Sequence, residues 1–236
     1  MKTLQIVALL CAMLFTNAAA DIKRYAMESG VMEYKITGGG TMMGMQTSTQ
    51  GTKTIAFKNW GNIELLDSIE TTKIGQQKPQ KQHTMMKFEN GKVYGVDFDE
   101  KVIYIFDMQT STLMNNNKSY TNFGREMLEK NKAKRLKDEK VLGYVCEVWQ
   151  MMDSKIWIYK GIALKVLSNT NGISYQEEVT KVEFNKSIPA ERFALPKYPT
   201  KEVEDTFDES MEGLSDEEKE QLKGLMQGLP ISLDSF

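Results

Sequence analysis

The chain has 236 residues, and 30 lysines and arginines stand against 32 aspartates and glutamates, which gives a formal net charge of −2. This balance excludes a globally basic nucleic-acid binder and a polybasic membrane-surface domain. One histidine and two cysteines exclude a zinc site built from several His and Cys ligands. The hydrophobic fraction of 41% is sufficient for the core of a globular protein with one large all-β domain or two small ones.

The first 20 residues have the composition of a secretory signal peptide. Lys2 is followed by an apolar run over 4–15 and then by small residues, so cleavage is expected before Asp21 and the mature protein is expected in the periplasm. The alternative is a lipid-attachment site at Cys11. This alternative is disfavoured because two leucines precede the cysteine where such a site requires a small residue.

The stretch from Gly30 to Phe106 has the pattern of antiparallel strands joined by tight turns. Apolar Met32, Tyr34 and Ile36 alternate with polar residues, which is the period-2 signature of a half-buried strand. The dipeptide at 90–91 is Asn-Gly, the strongest short hairpin signal. A meander of strands is therefore expected here.

Residues 121–137 interrupt the strand pattern. Phe123, Met127, Leu128 and Leu136 lie among charged residues without a proline, so this range is predicted to be an amphipathic helix. Its lysines and arginine are interspersed with acids, which favours a solvated helix face over a basic docking patch.

Strands are predicted to return from Gly143 to Phe184, with a second Asn-Gly hairpin turn at 171–172. Cys146, the one cysteine left after signal-peptide cleavage, lies in an alternating run. It is predicted to be a small buried hydrophobic residue rather than a redox or metal thiol. The fold must then be stable without an internal disulfide.

The C-terminal stretch differs in composition from the rest. Between Glu202 and Glu220 there are ten acidic residues and one lysine. We predict an acidic linker at 200–214 and a short amphipathic helix at 215–229, with Ser215 and Glu218 as its capping box. The helix could pack on the domain, cover a cavity or dock on a partner, and the sequence leaves these alternatives open.

The order of elements predicts the fold class. Strands, one helix and further strands, without βαβ alternation, argue against a parallel α/β fold. We expect a mainly β (α+β) domain over 21–199, preceded by the signal peptide at 1–20. Its expected architecture is a strongly curved antiparallel sheet, or half-open β-barrel, with helices on the concave side and the C-terminal amphipathic helix in addition. Such a sheet commonly encloses an apolar cavity.

Several short motifs follow one another along most of residues 30–197. They are Asp107–Thr112 with Met114, Leu142–Cys146, Ile156–Gly161 with Leu164-Lys165, Val182–Asn185, Ile188-Pro189, Phe193–Pro196 and, more loosely, Tyr34, Gly38–Met45 and Trp60-Gly61. In this order the motifs resemble those of a family of exported bacterial domains of unknown function that is related to the lipoprotein-carrier (Lol) superfamily.

This resemblance implies a half-closed antiparallel barrel that binds a lipid, an acylated molecule or another apolar ligand, and it brings no catalytic residues. The acidic tail is a departure from the carriers. We predict a monomeric, non-catalytic binding protein without a cofactor and without nucleic acid as partner, and an envelope protein is a candidate partner for the C-terminal helix. The predicted cavity residues are Met32, Tyr34, Ile36, Phe57, Trp149 and Trp157.

The methionines suggest an alternative function, because thioether ligands suit Cu(I) in an oxidising compartment. A soft-metal site would use Met42, Met45, His83 and Met85. The opposing interpretation is that methionine fills irregular apolar space or lines an adaptable binding surface. Adjacent methionines on a strand point to opposite faces and cannot share one site, which favours the second interpretation.

Overall fold

The computed structural model describes residues 23–42, 44–107, 128–129, 131–170 and 172–203, with the side chains of Met42 and Asp107 excepted. These residues form thirteen strands. In chain order the strands are β1 Gly30–Met42, β2 Met45–Lys58, β3 Ile63–Ile74, β4 Gln80–Glu89, β5 Lys92–Asp97, β6 Val102–Asp107, β7 Lys134–Arg135, β8 Glu139–Val141, β9 Tyr144–Met151, β10 Ser154–Tyr159, β11 Ile162–Thr170, β12 Ile173–Phe184 and β13 Thr200–Val203. Two 3₁₀ turns, Asn59–Gly61 and Ala190–Phe193, complete the described elements.

All thirteen strands belong to one open sheet. Its order is β13-β6-β5-β4-β3-β2-β1-β12-β11-β10-β9-β7, and β8 also pairs with β9. Neighbouring strands are antiparallel, except that β13 runs parallel to β6. The predicted β-rich antiparallel architecture is therefore confirmed. The residues 200–203, which belong to the predicted linker 200–214, form strand β13.

Tight turns follow the hairpin signals of the sequence. Asn90 and Gly91, between β4 and β5, both have positive φ, at 52° and 80°. Two positive φ values in a row are the geometry of the type I′ turn, which Asn-Gly prefers. The hairpin predicted at 90–91 is thus confirmed. Gly172 precedes β12 as expected from the second signal, while Asn171 lies outside the described residues.

Glycines allow the two longest strands to lie close to the backbone of their neighbours. A Cβ on Gly38 would lie 2.8 Å from the Ser174 carbonyl oxygen, and one on Gly51 would lie 2.5 Å from that of Ile69. Real Cβ atoms do not approach a backbone this closely, so the strands come together here only because side chains are missing. These close approaches fall on β1 and β2, at the centre of the sheet.

The main core lies over β1, β2 and β9–β12 and is closed by the segment that precedes β1. Tyr25 and Met27, from this segment, are 3% and 4% exposed and belong to the same cluster as Phe57. The Tyr25 ring packs on that of Phe57 with centroids 4.5 Å apart. Cys146 is free and fully buried in this cluster, as the sequence predicted.

The predicted helix at 121–137 is wrong over 131–137, while residues 121–127 and 130 lie outside the described residues. Leu128 and Glu129 are helical, but Lys132 has a φ of +56° and turns the chain, after which Lys134–Arg135 pairs with β9 as an edge strand. Leu136, which the helical pattern counted as part of its apolar stripe, donates its backbone N–H to Val148 and packs against the main core. The pairing with β9 overrides the local helical periodicity.

The prediction of helices on the concave side is therefore wrong. The described residues form an open sheet without helices packed on it. The predicted C-terminal helix at 215–229, the signal peptide at 1–20 and residues 204–214 of the linker lie outside the described residues. Within the described part of the chain, no helix has the length and apolarity needed to cross a membrane.

Candidate functional site

The strand register assigns side chains to one face of the sheet. Residues directly opposite each other on paired strands point to the same side. Tyr34 on β1 lies opposite Lys53 on β2, which lies opposite Ser68 on β3, which in turn lies opposite Thr84 on β4. We call this side the Tyr34 face.

Four of the predicted cavity residues share the Tyr34 face near its centre. Met32, Tyr34 and Ile36 alternate along β1, and Phe57 lies opposite Gly30, two residues before Met32. All four are buried, with exposures of 0–2%. Met32, Tyr34 and Phe57 pack within the main core, whereas Ile36 is buried outside it. The structure therefore brings the four together, and their contact with a ligand stays a prediction.

The two predicted tryptophans lie on opposite faces of β9 and β10. Trp149 lies opposite Ile156, whereas the next residue of β10 after Ile156, Trp157, lies opposite Val148 and points to the other side of the strand. Trp157 packs in the main core with Met32, Tyr34 and Phe57, and Trp149 is buried outside that core. Both tryptophans are 6% exposed. Their neighbouring positions in the sheet thus do not place them at one site.

A buried ion pair lies at the centre of the Tyr34 face. The ammonium of Lys53 contacts the carboxylate of Glu177, and the two side chains are only 11% and 13% exposed. The ammonium also lies 4.5 Å from the centroid of the Tyr34 ring. Burial, together with the charges of Glu177 and Glu64, raises the pKa of Tyr34 well above its usual value. Tyr34 therefore stays protonated, and its hydroxyl donates a hydrogen bond to the Ala163 carbonyl at 3.0 Å.

Glu70 adds a second carboxylate beside this pair. Burial raises its pKa, the charge of Glu177 raises it further, and Lys53 and a hydrogen bond from Ser68 oppose the shift. Further along the face, the hydroxyls of Thr49 and Thr72 lie 3.1 Å apart. Hydroxyl and charged groups thus continue across several strands. We call the set formed by Thr49, Lys53, Ser68, Glu70, Thr72, Tyr175 and Glu177 the polar band.

An apolar surface lies beside the polar band on the same face. We call it the apolar strip, and its members are Leu66, Met86, Phe88 and Val93, from β3, β4 and β5. All four are half-buried, unlike the fully buried residues of β1. They line a cavity of ≈ 40 Å³ together with Arg24, Glu64 and Lys87. This volume holds only a few waters, since one water needs about 10–15 Å³ of such space, so an alkyl chain binds here only if side chains move.

A buried charged network forms the end wall of the apolar strip. Arg24 donates to the Gly61 carbonyl at 2.6 Å and lies 3.4 Å from the Glu64 carboxylate, whose other oxygen accepts a hydrogen bond from the Tyr25 hydroxyl at 2.5 Å. The Arg24 guanidinium also lies 4.6 Å from the centroid of the Phe88 ring. Burial and the neighbouring Glu64 charge raise the pKa of Tyr25 well above its usual value. The network therefore links the segment before β1 to the apolar strip.

The residues of the alternative soft-metal site are only partly brought together. His83 and Met85 lie two positions apart on β4 and share the face opposite the Tyr34 face. The His83 imidazole already makes two interactions, because its Nε2 lies 2.7 Å from an Asp67 oxygen and its ring stacks on Phe98 at 3.7 Å. Among the described residues, no group of three or more His, Cys, Asp or Glu could hold a metal ion.

The two other members of that alternative lie elsewhere. Met45 lies opposite Met42 at the tip of the β1–β2 hairpin, beyond the pair formed by Thr47 and Ile74. On β3, Ile69 lies opposite His83 and Ile74 lies opposite Thr47. Five residues of β3, or roughly 17 Å, therefore separate His83 from the level of Thr47. The backbone of Met42 is described and its side chain is not. The structure does not bring Met45 to His83.

The thiol of Cys146 has the environment of a structural cysteine. It is fully buried, and burial raises its pKa, with a smaller contribution from the charge of Asp138 and an opposing hydrogen bond from the Val141 backbone. A raised pKa lowers the fraction of reactive thiolate.

The sequence analysis missed the polar band and the Arg24 network. A signal for the band was present, because Lys53 follows the same alternation as Ile55 and Phe57, and Glu177 the same alternation as Val179. A charged residue at an inward position of a strand is uncommon and indicates a partner on the same face. The pairing itself was not visible, because 124 residues separate Lys53 from Glu177.

Comparison with known proteins gives distant similarity to solved structures. No protein-family model matches the chain, and no curated protein matches it. An uncharacterized conserved protein from Thermus thermophilus is 5% identical, with a TM-score of 0.41, over 84% of this chain and 99% of that chain. A DUF1329 family protein from Desulfovibrio piger is 10% identical, with a TM-score of 0.26, over 82% of this chain and 96% of that chain.

A domain from Vibrio parahaemolyticus, named for outer membrane lipoprotein sorting, is also similar. It is 13% identical, with a TM-score of 0.20, over 72% of this chain and 91% of that chain. All three TM-scores are below 0.5, so these similarities carry no argument about the function of this chain. The argument for function must come from the Tyr34 face itself.

Proposed function

We propose that the protein is a non-catalytic binding protein for a lipid or another ligand with an alkyl part and a polar end. The observation that carries this proposal is the composition of the Tyr34 face. On this one face the half-buried apolar strip adjoins the polar band, whose Lys53–Glu177 pair is almost completely buried. A ligand with an alkyl part and a polar end would match both surfaces.

The two parts would take different ends of the ligand. The alkyl part would lie against Met86, Phe88 and their neighbours, since an unbranched methionine side chain adapts its shape to the surface it meets. The polar end would reach the carboxylates and hydroxyls of the polar band, where weak screening strengthens hydrogen bonds and ion pairs. The small cavity beside Arg24 would widen as the ligand enters.

We also propose that the protein catalyses no reaction at this face. The polar band pairs its lysine with a carboxylate and keeps the Tyr34 phenol protonated, so neither group is an activated nucleophile. We further propose that the protein acts as an exported monomer in the cell envelope, for which the predicted signal peptide is the supporting feature.

Binding of a fluorescent fatty acid to the mature protein, residues 21–236, tests this proposal. Micromolar binding is expected, and Met86→Gln should raise the Kd by about three- to tenfold, because covering the exposed part of this half-buried methionine contributes roughly 1 kcal/mol of apolar contact. Met85→Gln is the matched control, since Met85 is the neighbouring methionine on the opposite face. Absence of binding, or an equal loss in both variants, would refute the proposed site.

Mass spectrometry of protein purified from its native compartment gives an independent test. A co-purified molecule with an acyl chain is the expected result. A stoichiometric copper ion in its place would contradict the proposal and would favour the soft-metal alternative.

A further inference from the structure

The polar band contains one base and two carboxylates. The base is Lys53, and its ammonium already contacts the Glu177 carboxylate. Glu70 is half-buried beside this pair, and among the described residues no lysine or arginine forms an ion pair with it. The Ser68 hydroxyl donates a hydrogen bond to the Glu70 carboxylate at 3.4 Å, which brings no positive charge. The band therefore has an excess of negative charge that the described chain does not neutralise.

A glycine lets the Glu70 side chain approach the centre of the face. Gly51 on β2 lies opposite Glu70 and also opposite Ile36, which in turn lies opposite Glu177 on β12. A Cβ on Gly51 would lie 2.8 Å from the Glu70 Cγ, so the side chain of Glu70 leans over β2 where this glycine leaves space. Glu70 and Glu177 thus lie at one level of the sheet, on either side of the strand that carries Lys53.

The excess charge is unfavourable in the folded protein. Burial and the charge of Glu177 raise the pKa of Glu70, and Lys53 and the hydrogen bond from Ser68 offset only part of this increase. The ionised carboxylate of Glu70 is therefore less stable here than in water. A positive charge brought by a ligand would stabilise it, because two cations would then face two carboxylates.

The apolar strip and Glu70 lie along the same strand. Leu66, Ser68 and Glu70 alternate on the Tyr34 face of β3, so four residues, or about 13 Å, separate Leu66 from Glu70. On β4, Met86 lies opposite Leu66 and Thr84 lies opposite Ser68. A single ligand that lies along β3 and β4 can therefore contact the apolar strip with its alkyl part and reach Glu70 with its polar end.

We propose, on the basis of the proposed ligand-binding function, that the polar end of the ligand is a primary ammonium group that binds between Glu70 and Glu177. An ammonium group has three N–H donors, and the two carboxylates and the hydroxyls of Ser68 and Thr72 on β3 supply acceptors. Hydrogen bonds between ionised groups are roughly twice as strong as those between neutral groups. A ligand that ends in a carboxylate would instead meet two like charges.

Calorimetric titration of the mature protein with two alkyl ligands tests this assignment. Dodecylamine and dodecanoate have the same number of carbons and opposite charges at pH 7, and the amine should have a Kd about tenfold lower. Equal affinity, or tighter binding of dodecanoate, would overturn the ammonium assignment and leave the proposed ligand-binding function standing. Absence of binding of both ligands would refute the proposed function and, with it, the ammonium assignment.

Two matched variants locate the charge that selects the ligand. Glu70→Gln should raise the Kd for dodecylamine by about tenfold and should not weaken dodecanoate binding, because it keeps the shape of the side chain and removes its charge. Glu178→Gln is the control, since Glu178 follows Glu177 on β12, points to the opposite face and pairs with Lys165 at 3.0 Å. This control changes the net charge equally and should keep the Kd within about twofold of wild type.

The variants can also overturn the assignment. An equal loss of dodecylamine affinity in both would show attraction by the net charge alone, and unchanged affinity in Glu70→Gln would show that Glu70 does not bind the ammonium group. The comparison of amine and acid on the wild-type protein needs no substitution, so the test stays decisive if Glu70→Gln does not fold.

Two lysophospholipids distinguish the sources of an ammonium group. Lysophosphatidylethanolamine and lysophosphatidylglycerol both contain a phosphate, and only the first contains a primary ammonium. Tighter binding of the first would support the assignment for a lipid headgroup. Weak binding of both, with dodecylamine binding retained, would support it for an amine without a phosphate. Tighter binding of lysophosphatidylglycerol would overturn it.

Discussion

The two halves of the sheet differ in how completely they bury the Tyr34 face. On β1, the alternating residues Met32, Tyr34 and Ile36 are 0–2% exposed. In β4 and β5, which the structure describes completely, no residue is buried to this degree, and the members of the apolar strip are half-buried. The strands of both halves belong to one sheet with continuous pairing. The difference in burial therefore comes from the segments that pack on the strands and not from the pairing of the strands themselves.

The segment before β1 explains part of this difference. Tyr25 and Met27 close the main core over Phe57, and the Arg24 network marks the border with the apolar strip. One half of the face thus serves stability, and the other half keeps apolar area that a ligand can cover. Proteins commonly build binding sites from such incompletely buried apolar surface.

Truncation of one phenylalanine in each half is the strongest test of this division. Phe57→Ala should lower the free energy of unfolding by about 3–5 kcal/mol, because it leaves a cavity in a fully buried site. Phe88→Ala should cost roughly 1–2 kcal/mol, since its ring is only half-buried, and should weaken fatty acid binding. Urea denaturation measures both. Equal costs would contradict the division of the sheet.

Removal of one charge at the border should have the next largest effect. Glu64→Gln leaves the Arg24 guanidinium buried without its carboxylate, and the expected loss is about 3 kcal/mol in the free energy of unfolding. The double variant R24M/E64L removes both charges and should recover most of this loss. If the double variant is as unstable as the single one, the network acts through packing and not through its charges.

Two C-terminal deletions test the other edge of the sheet. Removal of 204–236 should change the melting temperature little, because it leaves β13 intact and removes a mainly acidic stretch. Removal of 201–236 also deletes most of β13, which covers β6 near the buried Ile103, and should cost about 1 kcal/mol. Thermal unfolding by circular dichroism compares the two. A large loss from the shorter deletion would show that the tail packs on the domain.

The smallest expected effect is a pH dependence at Glu70. Its pKa is raised in the folded protein, so folding favours the protonated carboxyl, and stability decreases as pH rises from the unfolded pKa of 4.5 through the folded pKa. Glu70→Gln should therefore be slightly more stable than wild type at pH 7, and the two should converge below about pH 4. A constant difference across this pH range would show that titration of Glu70 is not responsible.

The local sequence contains much of the strand architecture. The alternation at Met32, Tyr34 and Ile36 and the Asn-Gly turn at 90–91 depend on neighbours in the chain, and both are present as predicted. The predicted helix at 121–137 fails over 131–137 because Lys134–Arg135 pairs with β9, a contact that the local periodicity does not contain. Likewise, the partner of Lys53 is 124 residues away, and no local pattern identifies it.

The sequence by itself determined the strands, the tight turns and the inward position of the β1 side chains, because a period of two and the turn propensities of Asn and Gly act over a few residues. Only the tertiary structure decided how β1 unites β2 with β12 and so brings Lys53 to Glu177. It also decided which half of the Tyr34 face is covered by Tyr25 and which half remains partly open. Strand order and burial are set by long-range pairing, and one residue of shift in register would exchange the two faces.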